Sequence, residues 1–390
     1  MGRPLVEVFA VEDTSIQVCW RDAPTGPVTV RAGSVVHRVG GASGPDGHSG
    51  WGGAGVSGVG AAVIGGLPAA TTMGVDVTFG DGSTVHAGPV TTLTPPPGRV
   101  LSRFATINDL HLGAPHFGVF WTIWNDDAAD PAPLRGARAA IAEAVAWGAD
   151  ALVVKGDTTQ HGRPGELDTA GGLLAASGLP IVLIEGNHET KLGSVDGTAI
   201  MRAHGIELAT TRPTWLDLPG VRIIGVPTAR WHHSNGRIEA PVIAETVELL
   251  AATPSGSGAV LALHHYPQRF RLPTLYPPGI PGAHARDALD AFATANPATL
   301  VIAGHSHRHR RHDYHRLLLA EAGSTKDFPG SWTGYTVYEG GIMQATRRIM
   351  DPKVMAWTER GRRVLGGVWS VWGPGLRSHR CFTHVWAPRP

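Results

Sequence analysis

Five short polar motifs in the second part of the chain combine residue types that bind metal ions and move protons. In chain order they are Asn108-Asp109-Leu110-His111, Gly156-Asp157, Gly186-Asn187-His188-Glu189, His264-His265 and Gly304-His305-Ser306-His307. Their carboxylate, amide and imidazole groups suit Mn, Fe, Zn or Co, and a soft thiolate site is disfavoured because no motif contains Cys. Any one of these motifs is common by chance, whereas all five in one chain form a strong signal.

The number of candidate ligands indicates two ions. Six or seven such groups are too many for one catalytic ion, and they suit two ions roughly 3.5–4 Å apart that share a carboxylate. Glycine precedes Asp157, Asn187 and His305, where a bulky residue would hinder a sharp turn of the backbone beside the ions. The motifs therefore predict a binuclear metal centre.

The elements that must position these motifs follow from the periodicity of apolar residues. The predicted strands are VLSRFATI, ALVVKGD, IVLIEGN, VRIIGV, AVLALHH and TLVIAGH, and five of these six are followed directly by a motif or run into it. The predicted helices are RGARAAIAEAVAWGA, AETVELLAA and ARDALDAFATA. Alternating strands and helices indicate a layered α/β sheet, in which ligands gather at the carboxyl ends of the strands. The five motifs should therefore converge at one edge.

The motif order D-x-H, G-D, G-N-H-E, H-H and G-H-x-H resembles the calcineurin-like metallophosphoesterase superfamily over about residues 100–350. The resemblance implies a four-layer αββα sandwich and attack on phosphorus by a hydroxide held between two ions. It assigns Asp109, His111 and His307 to the first ion, Asp157 to both ions, and Asn187, His264 and His305 to the second. It gives His188 the role of protonating the departing oxygen or holding a phosphate oxygen.

Two positions depart from the family pattern. Gln160 stands where the family often has the second Asp of G-D-x-x-D-x-G, which orients the catalytic histidine, so the orientation of His188 is open. Purple acid phosphatases carry a ferric-binding Tyr at that place, and Gln160 therefore predicts no purple chromophore. Glu189 replaces the Asp that commonly follows G-N-H, with the same charge and little expected consequence.

The later segments HHYPQRF, GHSHR and GSTKDFPGSWTGYTVYEGGI resemble the bacterial class III cyclic-nucleotide phosphodiesterases, although Tyr266 replaces a proline. This resemblance favours hydrolysis of phosphodiesters, with cyclic nucleotides among the candidate substrates. A phosphomonoesterase of the same superfamily is the alternative, and a catalytically weak binding module that uses its β-sandwich is the alternative from another class. Candidate substrate contacts are His265, which follows a ligand, and Arg230 and His232, which follow the fourth strand.

Residues 1–93 have a different pattern, with short apolar runs between Gly, Pro, Asp and Ser turns that predict a β-sandwich. The stretches GLPAATTMGVDVTF and VTTLTPPP resemble the end of a fibronectin type III domain, a domain that purple acid phosphatases also join to this catalytic fold. Trp20 would be its core tryptophan. We predict a Pro-rich linker at 94–98, the catalytic domain at 99–350 and a docking segment at 351–390.

The overall composition excludes several function classes. With 33 basic and 32 acidic residues and a net charge of +1, the chain lacks the basic excess of a bulk nucleic-acid binder. Cys19 and Cys381 cannot form a disulfide framework. No apolar run reaches membrane-spanning length and no leader pattern is visible. We predict a cytoplasmic protein acting on a small phosphoester such as a nucleotide; the oligomeric state stays open.

Overall fold

Short strands with one buried face form the N-terminal part of the protein. The computed structural model describes residues 3–39, 58–117, 123–125, 127–269, 277–314 and 316–387. The N-terminal strands are β1 (Leu5–Val11), β2 (Ser15–Arg21), β3 (Val28–Ala32), β4 (Val35–Val39), β5 (Gly60–Gly65), β6 (Thr72–Thr78) and β7 (Thr84–Thr91). They form two antiparallel sheets with the orders β1-β2-β5 and β4-β3-β6-β7. Val18, Val30 and Trp20 are buried between these sheets, which agrees with the predicted small β-sandwich.

Two further sheets carry the five polar motifs. The strands of the first are β8 (Val100–Ile107), β11 (Ala151–Lys155), β12 (Ile181–Ile184), β13 (Leu208–Ala209), β20 (Ser331–Tyr338), β21 (Gly341–Arg348) and β22 (Cys381–Val385). Those of the second are β14 (Thr214–Leu218), β15 (Val221–Val226), β16 (Gly258–Leu263), β17 (Thr299–Ala303), β18 (Arg310–Tyr314) and β19 (Leu317–Glu321). The orders are β13-β12-β11-β8-β20-β21-β22 and β14-β15-β16-β17-β19-β18. The short strands β9 (His116–Phe117) and β10 (Ile123–Trp124) pair with each other. All six strands predicted for this region are present.

Helices cover the outer faces of both sheets. They are α1 (Ala132–Ala146), α2 (Pro164–Ala175), α3 (Thr198–Ala203), α4 (Ala240–Ala251), α5 (Gly282–Ala295), α6 (Pro352–Arg360), α7 (Trp369–Trp372) and α8 (Arg377–Arg380), with a 3-10 segment at Gly361–Gly367. Apolar residues of α1, α2 and α3 pack on the seven-stranded sheet, and those of α4 and α5 pack on the six-stranded sheet. A third core, including Phe104, Val153 and Leu300, fills the space between the sheets. The predicted four-layer αββα order is thus confirmed.

The C-terminal segment joins both parts of the chain. Strand β22 pairs antiparallel with β21 and forms the edge of the seven-stranded sheet, so the segment from 351 onward contains part of the catalytic sheet. The backbone N–H of Val11 donates to Cys381 Sγ at 3.3 Å, and Gln17 exchanges two hydrogen bonds with the backbone of Arg348 at 2.8 and 2.9 Å. The β-sandwich therefore packs on this edge of the seven-stranded sheet. Cys19 and Cys381 are buried free thiols.

No helix within the described ranges is long and apolar enough to cross a bilayer.

Candidate metal centre

The carboxyl ends of parallel strands from both sheets bring the five motifs together. Strands β8, β11 and β12 run parallel in one sheet, and β16 and β17 run parallel in the other. Within the first sheet, the N–H of Asp109 donates to Gly156 O at 3.1 Å and that of His111 to Asp157 O at 2.9 Å. Between the sheets, the N–H of His305 points to both carboxylate oxygens of Asp109, at 3.2 and 3.1 Å. The predicted convergence at one edge is thus present.

One group of ligand atoms contains two carboxylates and two imidazoles. Asp109, His111, Asp157 and His307 each offer one ligand atom, and these atoms lie within 4.8 Å of one another. His307 Nε2 lies 3.4 Å from Asp109 Oδ1 and 3.1 Å from His111 Nε2. His111 Nε2 lies 3.7 Å from Asp157 Oδ2. Four buried or nearly buried donors that face one point could hold a cation with oxygen and imidazole ligands.

A second group lies on the other side of Asp157. His264, His265 and His305 have ligand atoms within 4.8 Å of one another. His264 Nε2 lies 3.3 Å from Asp157 Oδ1 and 3.1 Å from Asn187 Oδ1. Asp157 thus turns Oδ2 towards the first group and Oδ1 towards the second. Asp157 is therefore a member of the first group and also contacts the second group through His264.

His265 belongs to this second group although the sequence suggested a substrate contact. Its side chain is completely buried, and Nδ1 lies 2.9 Å from Thr228 Oγ1. Nε2 is buried without a hydrogen-bond partner in the described part of the chain, and the ring centroid is 4.5 Å from that of His305. This position favours a ligand or supporting role over direct contact with substrate.

The backbone at the motifs adopts the left-handed conformation that side chains other than glycine rarely take. The φ angles are 53° at Asp109, 50° at His111, 47° at Asp157, 66° at His305 and 53° at His307. Each such residue costs roughly 1–3 kcal/mol, and strain of this kind collects at functional sites because the surrounding structure maintains it. The repeated strain supports a site in which ligand direction matters more than local stability.

Two glycines of the motifs allow the strands to approach the ligands. Gly156 has a φ of 76°, and a Cβ there would meet His264 Nδ1 at 2.5 Å. A Cβ on Gly186 would lie 2.2 Å from the backbone N of Asp157. These glycines are therefore required by the packing of the centre, as the sequence predicted for the positions before Asp157 and Asn187.

The carboxylates of the centre favour positive charge on two of its histidines. Burial works against protonation of His264, but Asp157 and Asp109 raise its pKa to about 9. Burial also opposes protonation of His307, and Asp327 and Asp109 raise its pKa to about 10. Burial would raise the pKa of Asp157, yet the neighbouring histidines hold it well below its usual value. Carboxylate charge that favours protons on these two imidazoles equally favours metal cations.

The other three histidines of the two groups behave differently. Burial lowers the pKa of His111, His265 and His305, so their rings are neutral and able to bind a cation. Both kinds of histidine therefore fit a metal centre.

The candidate ligand histidines also have hydrogen-bond partners on their second ring nitrogens, which orient the rings. His111 Nδ1 lies 3.0 Å from Gln160 Oε1, and His264 Nδ1 lies 2.7 Å from the backbone oxygen of Lys155. His307 Nδ1 bonds to the carboxylate of Asp327. Sequence reasoning missed Asp327, although its segment follows β19, whose carboxyl end reaches the same edge because β19 runs parallel to β17.

His188 lies between the first group and the surface. Its N–H donates to Asp157 Oδ1 at 2.8 Å, and Nε2 is 3.9 Å from Asp157 Oδ2. Nδ1 lies 3.0 Å from the backbone oxygen of Gln160, so this backbone group, rather than the side chain at position 160, faces the ring. Burial lowers the pKa of His188 to about 4, with Lys191 acting in the same direction and Asp157 against it.

The other two candidate substrate contacts lie next to the same loop. Thr190 Oγ1 donates to Arg230 O at 3.1 Å, and the N–H of His232 donates to Thr190 O at 2.8 Å. Arg230 is half-buried and His232 is exposed, with a φ of 62°. The segment that follows the fourth predicted strand thus lies beside the Asn187–Thr190 turn.

Comparison with known proteins gives one curated relative and several solved structures. The cAMP/cGMP dual specificity phosphodiesterase MT0825 of Mycobacterium tuberculosis (strain CDC 1551 / Oshkosh) is 30% identical over 168 residues, or 40% of this chain. The chain spans 48%, about half, of the length of that relative. The purple acid phosphatase PPD1 from yellow lupin (Lupinus luteus) seeds has a TM-score of 0.45 at 12% identity, with 90% of this chain and 72% of that chain covered. The phosphopantetheinyl hydrolase of Mycobacterium tuberculosis has a TM-score of 0.35 at 14% identity, covering 58% and 90%.

The sequence profile of the calcineurin-like phosphoesterases matches residues 102–309. That range is more than half of the chain and includes all five motifs. Members of this family are metal-dependent phosphoesterases, in keeping with the two groups of ligand atoms around Asp157. The chain belongs to the calcineurin-like phosphoesterase family.

Proposed function

We propose that the protein is a binuclear-metal-dependent phosphodiesterase. The observation that carries the proposal is the position of Asp157, whose two oxygens lie 3.7 Å from His111 Nε2 and 3.3 Å from His264 Nε2. A carboxylate between two groups of ligands is what two catalytic ions require. The relative named as a cAMP/cGMP phosphodiesterase supports diesters as the substrate class, with cyclic nucleotides as candidates.

The proposed ligands are those implied by the family motifs. They are Asp109, His111 and His307 for the first ion, Asp157 for both ions, and Asn187, His264 and His305 for the second. Carboxylate and imidazole donors suit Mn, Fe and Zn. When bound, such ions neutralise phosphoryl charge and lower the pKa of a water molecule.

We assign proton transfer to His188. Nε2 is the ring nitrogen that faces the centre, 3.9 Å from Asp157 Oδ2, and Lys191 Nζ lies 2.9 Å from it. A neutral ring is expected before substrate binds, because burial lowers its pKa to about 4. The negative charge of a bound phosphate raises the pKa of a nearby imidazole, so His188 would take up a proton with the substrate and release it to the departing oxygen.

Substrate contacts are proposed at the surface side of this loop. Arg230 and His232 are held beside Thr190, where a cationic guanidinium and an exposed imidazole can face a phosphate. His265 is proposed to support or bind the second ion because its ring is completely buried. We also propose the division into a sandwich at 1–93, a linker at 94–98, a catalytic domain from 99 and a terminal segment from 351 that returns one strand, β22, to the catalytic sheet.

A phosphomonoesterase remains the alternative within the class, since the same ligands can hold either ester. A panel of substrates with metal-reconstituted full-length protein separates the two. It compares bis-p-nitrophenyl phosphate, p-nitrophenyl phosphate and several cyclic nucleotides by kcat/KM, with Asp157→Asn as the control for the metal centre. Higher kcat/KM on the diesters is expected.

A strong preference for the monoester would replace the diester proposal by its alternative. If none of these esters is turned over by the protein with two ions bound, the result would favour the binding module that uses the β-sandwich.

A further inference from the structure

One buried carboxylate outside the proposed ligand set bonds directly to a ligand ring. Asp327 lies in the loop between β19 and β20, which belong to different sheets, and is only 3% exposed. Its Oδ2 accepts a hydrogen bond from His307 Nδ1. Its Oδ1 lies 3.3 Å from Lys326 Nζ, at ion-pair distance without hydrogen-bond geometry.

The loop that carries Asp327 is fixed to the metal centre at several points. Ser324 Oγ donates to the backbone oxygen of Asp109 at 2.6 Å. Asn108 Nδ2 donates to the backbone oxygens of Ala322 and Gly323 at 3.2 and 3.1 Å. The position of the Asp327 carboxylate relative to His307 is therefore set by the fold rather than by a free side chain.

The bond to Asp327 fixes the chemistry of His307. With Nδ1 engaged by the carboxylate, Nε2 is the nitrogen that can give up its proton and bind a cation, and it faces Asp109 Oδ1 at 3.4 Å and His111 Nε2 at 3.1 Å. A carboxylate behind an imidazole orients the ring and increases its basicity as a ligand. His307 is thus prepared for a cation at the point that the first group shares.

The other ligand histidines have neutral outer partners in the described part of the chain. His111 Nδ1 faces the amide oxygen of Gln160 at 3.0 Å, His264 Nδ1 faces a backbone oxygen at 2.7 Å, and His305 Nε2 lies 3.2 Å from Pro278 O. A charge-assisted hydrogen bond is roughly twice as strong as a neutral one. The first group of ligand atoms therefore has a charged hydrogen-bond partner behind one of its histidines, whereas the partners found behind His264 and His305 are neutral.

We propose that Asp327 is a positioning residue that makes the first site, formed by Asp109, His111 and His307, bind its ion more tightly than the second. The inference rests on the proposed two-ion function. Lys326 moderates the effect because its ammonium group offsets part of the Asp327 charge. Loss of the carboxylate should weaken one site selectively and leave the other nearly unchanged.

Calorimetric titration of the chelator-treated full-length protein with Mn²⁺ tests the proposal without an activity assay. The wild type should bind in two steps. Asp327→Asn should weaken one step by roughly 10–100-fold, the range for loss of an outer partner. Asn187→Ala, which removes a proposed ligand of the second ion, should weaken the other step. Thermal unfolding of each metal-free variant checks that the fold is intact.

A gain-of-affinity variant keeps the test independent of any folding defect. Gln160→Glu places a carboxylate behind His111 Nδ1, where the amide oxygen now lies at 3.0 Å. This substitution should tighten the first step and should restore part of the affinity lost in Asp327→Asn.

Equal weakening of both steps by Asp327→Asn, or a change below about twofold, would overturn the role of Asp327 while leaving the two-ion function intact. A wild type that binds only one equivalent of Mn²⁺ would instead refute the two-ion function. Two equivalents bound in a single step would keep that function and overturn the proposed difference in affinity between the sites.

Discussion

Replacement of Asp157 by Asn should weaken metal binding by both groups of ligand atoms, because both groups face this one carboxylate. The substitution keeps the size of the side chain and the acceptor for the His188 N–H at 2.8 Å, but it removes the negative charge. The carboxylate oxygens lie 3.3 Å from His264 Nε2 and 3.7 Å from His111 Nε2, so an ion held by either nitrogen would lie within reach of this charge.

The magnitude follows from Coulomb's law. Two unit charges about 4 Å apart interact by about 4 kcal/mol at an effective dielectric constant of ~20, which corresponds to about 10³-fold in a dissociation constant. Because the charge faces both groups, we expect Asp157→Asn to weaken both steps of a Mn²⁺ titration by about this factor. Turnover should disappear when metal is supplied at only two equivalents.

The matched control is Glu185→Gln, which replaces another buried carboxyl, two residues before Asn187, by an amide. Glu185 is buried and its pKa is raised to about 8 by burial, then by Glu189 and Asp196, so it carries little charge at neutral pH. Its substitution should leave both steps near those of the wild type. Near-normal metal binding and turnover in Asp157→Asn would show that the carboxylate does not bridge the two groups.

Three further predictions test the ions, the proton donor and the pH dependence of stability. Elemental analysis of protein purified without chelator should give close to two equivalents of Mn, Fe, Zn or a mixture, and an active protein with one or none would contradict the two-ion centre. His188→Ala should retain both ions and lose roughly 10²–10⁴-fold in rate on a cyclic nucleotide or alkyl diester, with a smaller loss on an activated aryl ester; equal losses would instead indicate electrostatic contact with the phosphoryl oxygens. Burial raises the pKa of Glu143 from 4.5 to about 7 although Trp332 and Met350 donate to it. The folded state therefore holds this proton more tightly, and the free energy of unfolding should fall by about 3 kcal/mol as pH rises from about 4.5 to 7. Glu185, whose pKa is also raised, adds its own decline in both proteins, so urea unfolding should show a decline that is about 3 kcal/mol smaller in Glu143→Gln than in the wild type. Parallel profiles would contradict this prediction.

The layered fold and the place of the site could be predicted because they depend on local patterns. Strands buried on both faces require continuous apolar runs such as Ile181–Ile184 and Gly258–Leu263. The polar residues that follow such runs must lie at the carboxyl edge of the sheet, which places Asp157 and His305 together without knowledge of side-chain geometry. The order of the motifs then identified the family.

The partners across the sheets could not be predicted, because they join residues far apart in the sequence. Asp327 reaches His307 from a loop that links one sheet to the other, and the side chain of Gln160 faces His111 while its backbone faces His188. Neither contact has a sequence period or a fixed spacing that would reveal it.

The tertiary structure also decided where the ring of His265 points and where the C-terminal strand pairs. His264 and His265 are adjacent in sequence and both completely buried, yet only packing against Thr228 fixes where the second ring points. Strand β22 at Cys381–Val385 pairs with the outer edge of β21 and forms the last strand of the seven-stranded sheet. The sequence alone determined which residues can form strands and which can bind a metal ion, since those properties are local. The tertiary structure decided which groups hydrogen-bond to those metal-binding side chains, because only the folded chain brings such distant residues together.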